Sequence, residues 1–207
     1  RKLADTKKIP SKFGSSISYK HQQQNIFGET ETALTLSAQN ISMQDLDSNG
    51  LTTLWQKQLE KALGIAALPE SDLIKLLISS KTDPQLPDPV HNGLLHAAIH
   101  ERIVVIVRPE SVMAISGIKD SPELIEKVFD GKVGWVPFRK NGITLAQALE
   151  TAWKEKSNRV NALVVQHLGL IVAGTDFEEV YVKIKEIIGS AESYLHSLNI
   201  WDVFDQA

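Results

Sequence analysis

Apolar and polar positions change period several times along this chain, and the changes mark its elements. Thr30–Ser37 (TETALTLS) alternates and is rich in threonine, which predicts a half-buried strand. Before it, Phe13–Tyr19 reads as a turn leading into a short strand, and the polar stretch His21–Gln24 reads as a loop. Ile41–Leu46 reads as the next strand, ended by the turn Asp47-Ser48-Asn49-Gly50. The period then shifts. Leu51, Leu54, Trp55, Leu59, Ala62 and Leu63 recur at helical spacing, so a helix is expected over Leu51–Leu63 with Gly64 as its stop. Glu70–Ser79 predicts a second helix with Leu73, Leu76 and Leu77 inward. Pro84, Pro87 and Pro89 make Lys81–Pro89 an extended loop.

Downstream, Asn92–Arg102 is expected to be helical and Val104–Arg108 to be a buried strand. Short helices follow at Glu110–Ile115 and Pro122–Phe129. Val133–Phe138 is a strand that runs into the loop Arg139-Lys140-Asn141-Gly142. Thr144 is placed to cap a helix over Leu145–Lys156, while Ala162–Val165 and Leu170–Val172 bracket a buried strand around Gln166–Gly169. Asp176 is a good N-cap for a last long helix, Phe177 to about Leu195, whose Val180, Ile184, Ile187, Ile188 and Ala191 form one face. Strands and helices mixed throughout argue an α/β layered fold.

Composition narrows the function classes. Hydrophobic residues make up 43% of the 207, enough to bury a core in one domain over residues 1–207. With 22 basic and 25 acidic side chains the formal charge is −3, so nothing points to nucleic acid or an anionic membrane as partner. There is no cysteine, which rules out disulfides, thiolate metal sites and a cysteine nucleophile. That fits a cytoplasmic, reducing compartment. The longest apolar run, Ile103 to Val107, is strand-sized, far below the roughly 20 residues of a membrane span. The basic start has no apolar segment behind it, so it is not read as a signal peptide. The chain begins at Arg1 rather than methionine, and a piece upstream is therefore expected.

Four segments, in order, carry a family resemblance. GWVPFRKNGITLAQAL (Gly134–Leu149) resembles the strand, loop and helix before the last core strand of the class II aldolase/adducin family. Within that family it is most similar to the aldolase domain of bifunctional rhamnulose-phosphate aldolase/alcohol dehydrogenase proteins. Ala162–Leu195 resembles the final strand, its turn glycine Gly174 and the helix behind it. PVHNGLLHAAIHER (Pro89–Arg102) resembles the helix that opens with proline-serine-x-glutamate. VVIVRPESVMAIS (Val104–Ser116) resembles the strand that normally ends in histidine-x-histidine. The likeness spans roughly residues 11 to 195. Two family segments look short here, between Ala38 and Gln39 and between Ile103 and Val104. The resemblance implies a three-layer α/β/α domain around a mixed, mostly antiparallel sheet.

The resemblance also implies a chemistry, and this chain departs from it. The family's aldolases hold a divalent metal with three histidines, beside a glutamate that acts as ligand or base, and the metal stabilises an enediolate as a sugar phosphate is cleaved. Here the glutamate position falls on Asn92, and the histidine-x-histidine pair falls on Arg108 and Glu110. The last histidine falls on Leu168, with His167 one place early and so aimed at the opposite face of a strand. His91 is likewise one place before Asn92. Asparagine is no general base, and a guanidinium does not ligate a cation. In the family's phosphate-binding turns, Ser15-Ser16-Ile17-Ser18 and Ser37-Ala38 are the counterparts, and Val90 replaces a serine.

The remaining candidates have bland readings as well as sharp ones. His96 and His100, four apart on an expected helix, have zinc spacing but no further ligand; Arg139-Lys140 reads as an anion site or, as is usual for two basic residues, a solvated loop; Trp55, Trp135 and Trp153 are core or subunit-contact residues. Ligand-binding candidates at the old site are thus Ser16, Ser37, Asn92, Arg108, Glu110 and His167. Arg108 and Glu110 read either as a catalytic pair whose arginine grips a carboxylate or phosphate or, as favoured here, as an ion pair, Arg108 pairing with Glu110 or another acid and closing the site electrostatically. The leading expectation is a non-catalytic domain with an assembly or interaction role, no cofactor, a ring-like homo-oligomer, and a small sugar phosphate or a protein as partner. The alternative is an aldehyde-lyase on a small sugar phosphate with a rearranged site and a divalent metal such as zinc. The bifunctional likeness leaves room for a longer chain.

Overall fold

The computed structural model describes residues 15–198 apart from 44, 119, 141 and 159. Seven strands, β1 (Ser16–Gln24), β2 (Thr30–Ser37), β3 (Leu51–Trp55), β4 (Ile103–Val107), β5 (Val133–Val136), β6 (Ala162–Val165) and β7 (Gly169–Gly174), form one sheet in the order β3-β2-β1-β4-β7-β6-β5. Every neighbouring pair is antiparallel except β5 with β6. Among the described residues, seven helices pack on it: α1 (Gln56–Leu63), α2 (Glu70–Ser79), α3 (Gly93–Ala98), α4 (Glu110–Ser116), α5 (Ser121–Val128), α6 (Ile143–Glu155) and α7 (Phe177–Ser197). The mixed, mostly antiparallel α/β architecture is as expected.

Alternation along the strands sorts the helices into layers. Val104 and Ile106 of β4, Leu163 and Val165 of β6, and Ile171 and Ala173 of β7 enter one core with leucines of α1, α2, α3 and α6. Val105 and Val107, Ala162 and Val164, and Leu170 and Val172 enter a second core with α4, α5 and α7. A strand buried on both faces has no polar side to show, which is why IVVIV and ALVV read as unbroken apolar runs.

Several expectations fail for identifiable reasons. His21–Gln24 is strand, not loop: Gln22, Gln23 and Gln24 pair with Thr32, Glu31 and Thr30 in a hairpin end that is wet on both faces and needs no apolar residues. The tip is closed by Asn25, whose Oδ1 accepts from the backbone N–H groups of Phe27 and Glu29. Leu51–Leu63 splits into β3 and α1, because Leu51–Trp55 completes the open edge of β2 and Thr52-Thr53 suits a strand. Ile41–Leu46 forms no strand among its described residues; Asp47 instead caps a single 3₁₀ turn at Ser48–Gly50.

The helix expected over Asn92–Arg102 stops at Ala98, since Ile99 is extended at φ −102°. His96 and His100 therefore do not share a helical face, and only the first is buried. Ile103 and Val104 are consecutive residues of β4. Gln166, His167 and Leu168 are a hairpin turn between β6 and β7 rather than a strand, closed by Leu168 N–H donating to the Val165 carbonyl at 3.1 Å. Thr144 lies in the first turn of α6, and its hydroxyl donates to the Lys140 carbonyl instead of capping. The N-cap role of Asp176 holds, its side chain accepting from Glu179 N–H.

Candidate ligand site at one end of the sheet

The register decides which residues meet. Because β1 runs antiparallel to β2 and β4, its first residues lie beside the ends of both: Ser18 faces Leu36, and Ser16 faces Ile106. β7 begins beside the end of β4, with Leu170 opposite Val107, and β5 ends beside Val165. The start of β1, the ends of β2, β4 and β5, and the β6–β7 turn therefore share one end of the sheet. The approach to α3 joins them, as Val90 N–H donates to the Ser37 carbonyl. All six candidates are at this end.

They do not play equal parts. Ser16 is fully buried and Ser37 almost so; Ser37 Oγ accepts from Ile17 N–H at 3.3 Å. Both serines support the site from beneath rather than line it. Asn92 is half-buried, with Nδ2 3.0 Å from Ser16 Oγ. Ser16 Oγ lies 2.7 Å from His96 Nε2, and Ser18 Oγ lies 2.8 Å from His96 Nδ1. Burial pushes the His96 imidazole down to about 3, helped by the Lys20 ammonium and opposed by a hydrogen bond to the Val104 backbone, so the ring is neutral in ordinary buffers. Lys20 donates to the carbonyls of His96, Ile99 and Glu101, closing the end of α3. Burial pushes this ammonium down to about 8, against the carboxylates of Glu101 and Glu60.

At the surface, Arg108 is exposed and its guanidinium donates to the His167 carbonyl at 3.4 Å. Among the described residues it makes no ion pair. The expected Arg108–Glu110 pair does not form: the strand ends at Val107, and Glu110, exposed, begins α4. The residue that shares a strand face with Arg108 is Ile106, which is apolar and buried. His167 is exposed at φ 61°, in the turn rather than on a strand, so the alternation argument does not apply to it. Its ring packs edge-on to Phe138, 5.7 Å between centroids. Leu168 is half-buried against the first core.

Sequence reasoning named Arg139 and Lys140 at this rim but missed Phe138 and Gln166. Phe138 N–H donates to Gln166 Oε1, tying the end of β5 to the hairpin turn. Arg139 donates to the Phe138 carbonyl and Lys140 is exposed beside it, so the rim is cationic. Gly169 has φ 142°, and a Cβ there would lie 2.4 Å from the Val107 carbonyl oxygen. Only glycine lets the turn close on the end of β4 and bring His167 to Arg108. The readable signal was that glycine directly after the turn. His91 is exposed, and its Nε2 accepts from Gln39 at 3.0 Å.

A model of the class II aldolase and adducin N-terminal domain family matches residues 29–195. The chain belongs to this family. Among solved structures, it resembles the N-terminal class II aldolase domain of a conserved protein from Thermoplasma acidophilum, at 20% identity and TM-score 0.87, covering 94% of this chain and 89% of that one. A sugar-phosphate aldolase from Thermotoga maritima (16% identity, TM-score 0.61, 96% and 93% covered) and an L-fuculose-1-phosphate aldolase from Thermus thermophilus (13%, 0.60, 95% and 88%) share the fold. A curated Bacillus subtilis protein described as uncharacterized oxidoreductase YuxG is 21% identical over 192 residues, 92% of this chain but 28% of its own length. The chain thus spans under a third of that relative.

At this end of the class II aldolase-type domain, Asn92, Arg108 and Leu168 supply no anionic or imidazole ligand, Glu110 is exposed at the start of α4, and His167 is exposed in the β6–β7 turn. Among the described residues no group of three histidines or carboxylates is placed to hold a metal.

Proposed function

We propose that this is a class II aldolase-type binding domain that takes a small anionic, hydroxylated molecule such as a sugar phosphate at the Arg108 end of the sheet, without aldol cleavage on a metal. The observation that carries the reading is the exposed Arg108 guanidinium, anchored on the His167 carbonyl and free of any acidic partner among the described residues. A planar fork of donors suits a phosphate or carboxylate. An arginine at a metal position repels the cation electrostatically, and asparagine in place of glutamate cannot accept a proton from carbon.

The same domain would serve assembly, as a cytoplasmic homo-oligomer of cyclic symmetry. Supporting this, the β1–β2 tip exposes Ile26 and Phe27 almost fully, at 91% and 80%. The second reading, an aldehyde-lyase on a small sugar phosphate, rests on the names of structural relatives and requires a metal held by other groups.

Elemental analysis and calorimetry separate the two. We expect no stoichiometric zinc, manganese or iron in purified protein, and saturable binding of inorganic phosphate that Arg108→Ala removes. One firmly bound metal ion per chain, with turnover of a sugar phosphate, would establish the lyase instead. Sedimentation at tens of micromolar, roughly where stable homo-oligomers persist, tests the assembly; a monomer throughout would count against it.

A further inference from the structure

The sheet has two edges, and the chain treats them differently. Along β3 the outer backbone groups are met by the residues just after α2. Trp55 N–H donates to the Ser80 carbonyl at 2.8 Å, Thr82 N–H donates to the Thr53 carbonyl at 2.9 Å, and Lys81 is bridged to Leu54. The opposite edge is β5, paired only with β6. The carbonyls of Lys132 and Val136 accept from Asn161 N–H and Gln166 N–H, both at 3.0 Å, so the even-numbered residues turn their backbone toward β6. Backbone groups alternate along a strand, which turns the N–H and C=O of Val133 and Trp135 outward. Among the described residues nothing bonds these four groups. A row of free donors and acceptors is a template for another strand, and edges that stay single are commonly guarded by a charge or a bulge. This one reads Val-Gly-Trp-Val and has neither, with Gly134 and Trp135 only half-buried.

The open edge is complementary to itself. Laid antiparallel on a second copy about a two-fold axis at Gly134, Val133 falls opposite Trp135 of that copy, and Trp135 opposite its Val133. Both are hydrogen-bonded pairs, so the outward groups make four N–H to carbonyl bonds. Gly134 then faces Gly134 of the second copy in the closely spaced kind of pair, about 4.5 Å between Cα atoms, where two glycines bring no side chains to crowd. The ladder stops by itself. At the next outward position Pro137 has no N–H, and Gly131, which would lie opposite, already donates to the Glu126 carbonyl at 3.1 Å.

Charge agrees with this direction. The groove beside the start of β5 is lined by Glu123 and Glu126, and its described lining holds no basic side chain. The groove beside the end of β5 is lined by Arg139, with Glu155 farther along it. Antiparallel pairing brings the arginine end of each copy to the glutamate end of the other. An unrelated extended segment could take the same four bonds, but it would match neither the glycine at the centre nor the opposite charge at the two ends.

We propose that β5 pairs with β5 of a second copy, antiparallel about a two-fold axis through Gly134, so that two seven-stranded sheets become one. This rests on the proposed homo-oligomeric assembly and gives it a surface separate from the β1–β2 tip.

Sedimentation and NMR test it together. Wild type should form dimers at tens of micromolar, roughly where stable homo-oligomers persist. Arg139→Glu should raise the dissociation constant about tenfold, and adding Glu126→Arg should restore it, since like charges would otherwise meet at both ends. Both side chains are exposed, so the fold is not at risk. In a sample mixed from ¹³C-labelled and unlabelled copies, an isotope-filtered Overhauser spectrum should show a cross-peak between the α protons of Gly134 in the two copies. The Val133 and Trp135 amides should be protected from exchange. Dimers without the cross-peak, or with unchanged affinity in Arg139→Glu, join by another surface; the pairing is then wrong and the assembly reading stands. Freely exchanging amides in an oligomer would leave the edge open to some other chain and overturn the pairing equally. A monomer throughout removes the assembly reading and the pairing with it.

Discussion

The two halves of the sheet solve the problem of burial differently. In the half formed by β4, β7, β6 and β5, successive side chains alternate between two helix-covered cores, and β4, β6 and β7 are buried through most of their length. In the half formed by β3, β2 and β1, only one face meets helices: Leu34, Leu36 and Leu54 pack on leucines of α1 and α2. The second core draws only Ile17 from these three strands, as a partly buried residue. Their other face is polar. His21 Nε2 lies 3.0 Å from Thr35 Oγ1, which lies 2.8 Å from Thr53 Oγ1, and Tyr19 stacks on His21. The candidate site sits where the halves join, at the β1–β4 seam. The doubly buried half fixes the position of Arg108 through β4, and the single-sided half can carry buried polar groups such as Ser16 and Ser18 up to the site. A ladder of side-chain hydrogen bonds needs a strand that is not apolar on every side.

The comparison can be broken most forcefully at the seam. Gly169→Ala puts a methyl into the Val107 carbonyl and asks an L-residue to hold φ 142°; we expect a loss of about 3 kcal/mol or more in urea unfolding, and a value below about 1 kcal/mol would deny the close approach. Ile171→Ala, in the doubly buried half, should cost about 3 kcal/mol by cavity formation. Acid sharpens the contrast through His96. Its folded-state pKa is lowered, so below the ordinary value near 6.5 the unfolded chain binds a proton that the folded chain refuses, and stability falls with pH between about 6.5 and 3. That share should reach about 2 kcal/mol at pH 5. A His96→Gln variant, if folded, should lose this share of the acid sensitivity; an unchanged profile would remove His96 from the account.

Smaller effects belong to the single-sided half and the rim. Thr35→Ala removes a hydroxyl shared by His21 and Thr53 and should cost about 1 kcal/mol. A cost as large as that of Ile171→Ala would mean that the polar face is as tightly determined as the cores. Arg108→Ala should change the melting free energy by no more than about 0.5 kcal/mol, because the side chain is exposed and, among the described residues, bonded only to a carbonyl. A large loss would point to an acidic partner and to the closed site that the sequence alone suggested.

Much of the fold was legible in the residues. Thr30–Ser37 and Glu70–Ser79 were readable to the residue, since one alternates cleanly and the other has an inward leucine face. Errors fell where the deciding partner is distant in sequence. Leu51–Trp55 matched a helical spacing, yet β2 needed an edge partner; His21–Gln24 had no apolar signal, yet its partners Thr30–Ala33 were in reach. The candidate site shows the same division. Asn92, Arg108 and His167 could be named from the chain, but not that Arg108 meets a carbonyl instead of Glu110, nor that His167 leaves the strand.

By itself the sequence determined the α/β class and the two apolar strand runs, together with which residue types stand at the positions the family uses. These are consequences of local period and of side-chain chemistry, which travel with the residue. Only the tertiary structure decided what those residues touch. Strand register brings Ser16 within 2.7 Å of His96, 80 positions away, and brings the turn at His167 to Arg108, 59 positions away. Hydrogen bonding depends on tenths of an ångström, and distances of that kind are set by packing across the whole sheet rather than by spacing along the chain.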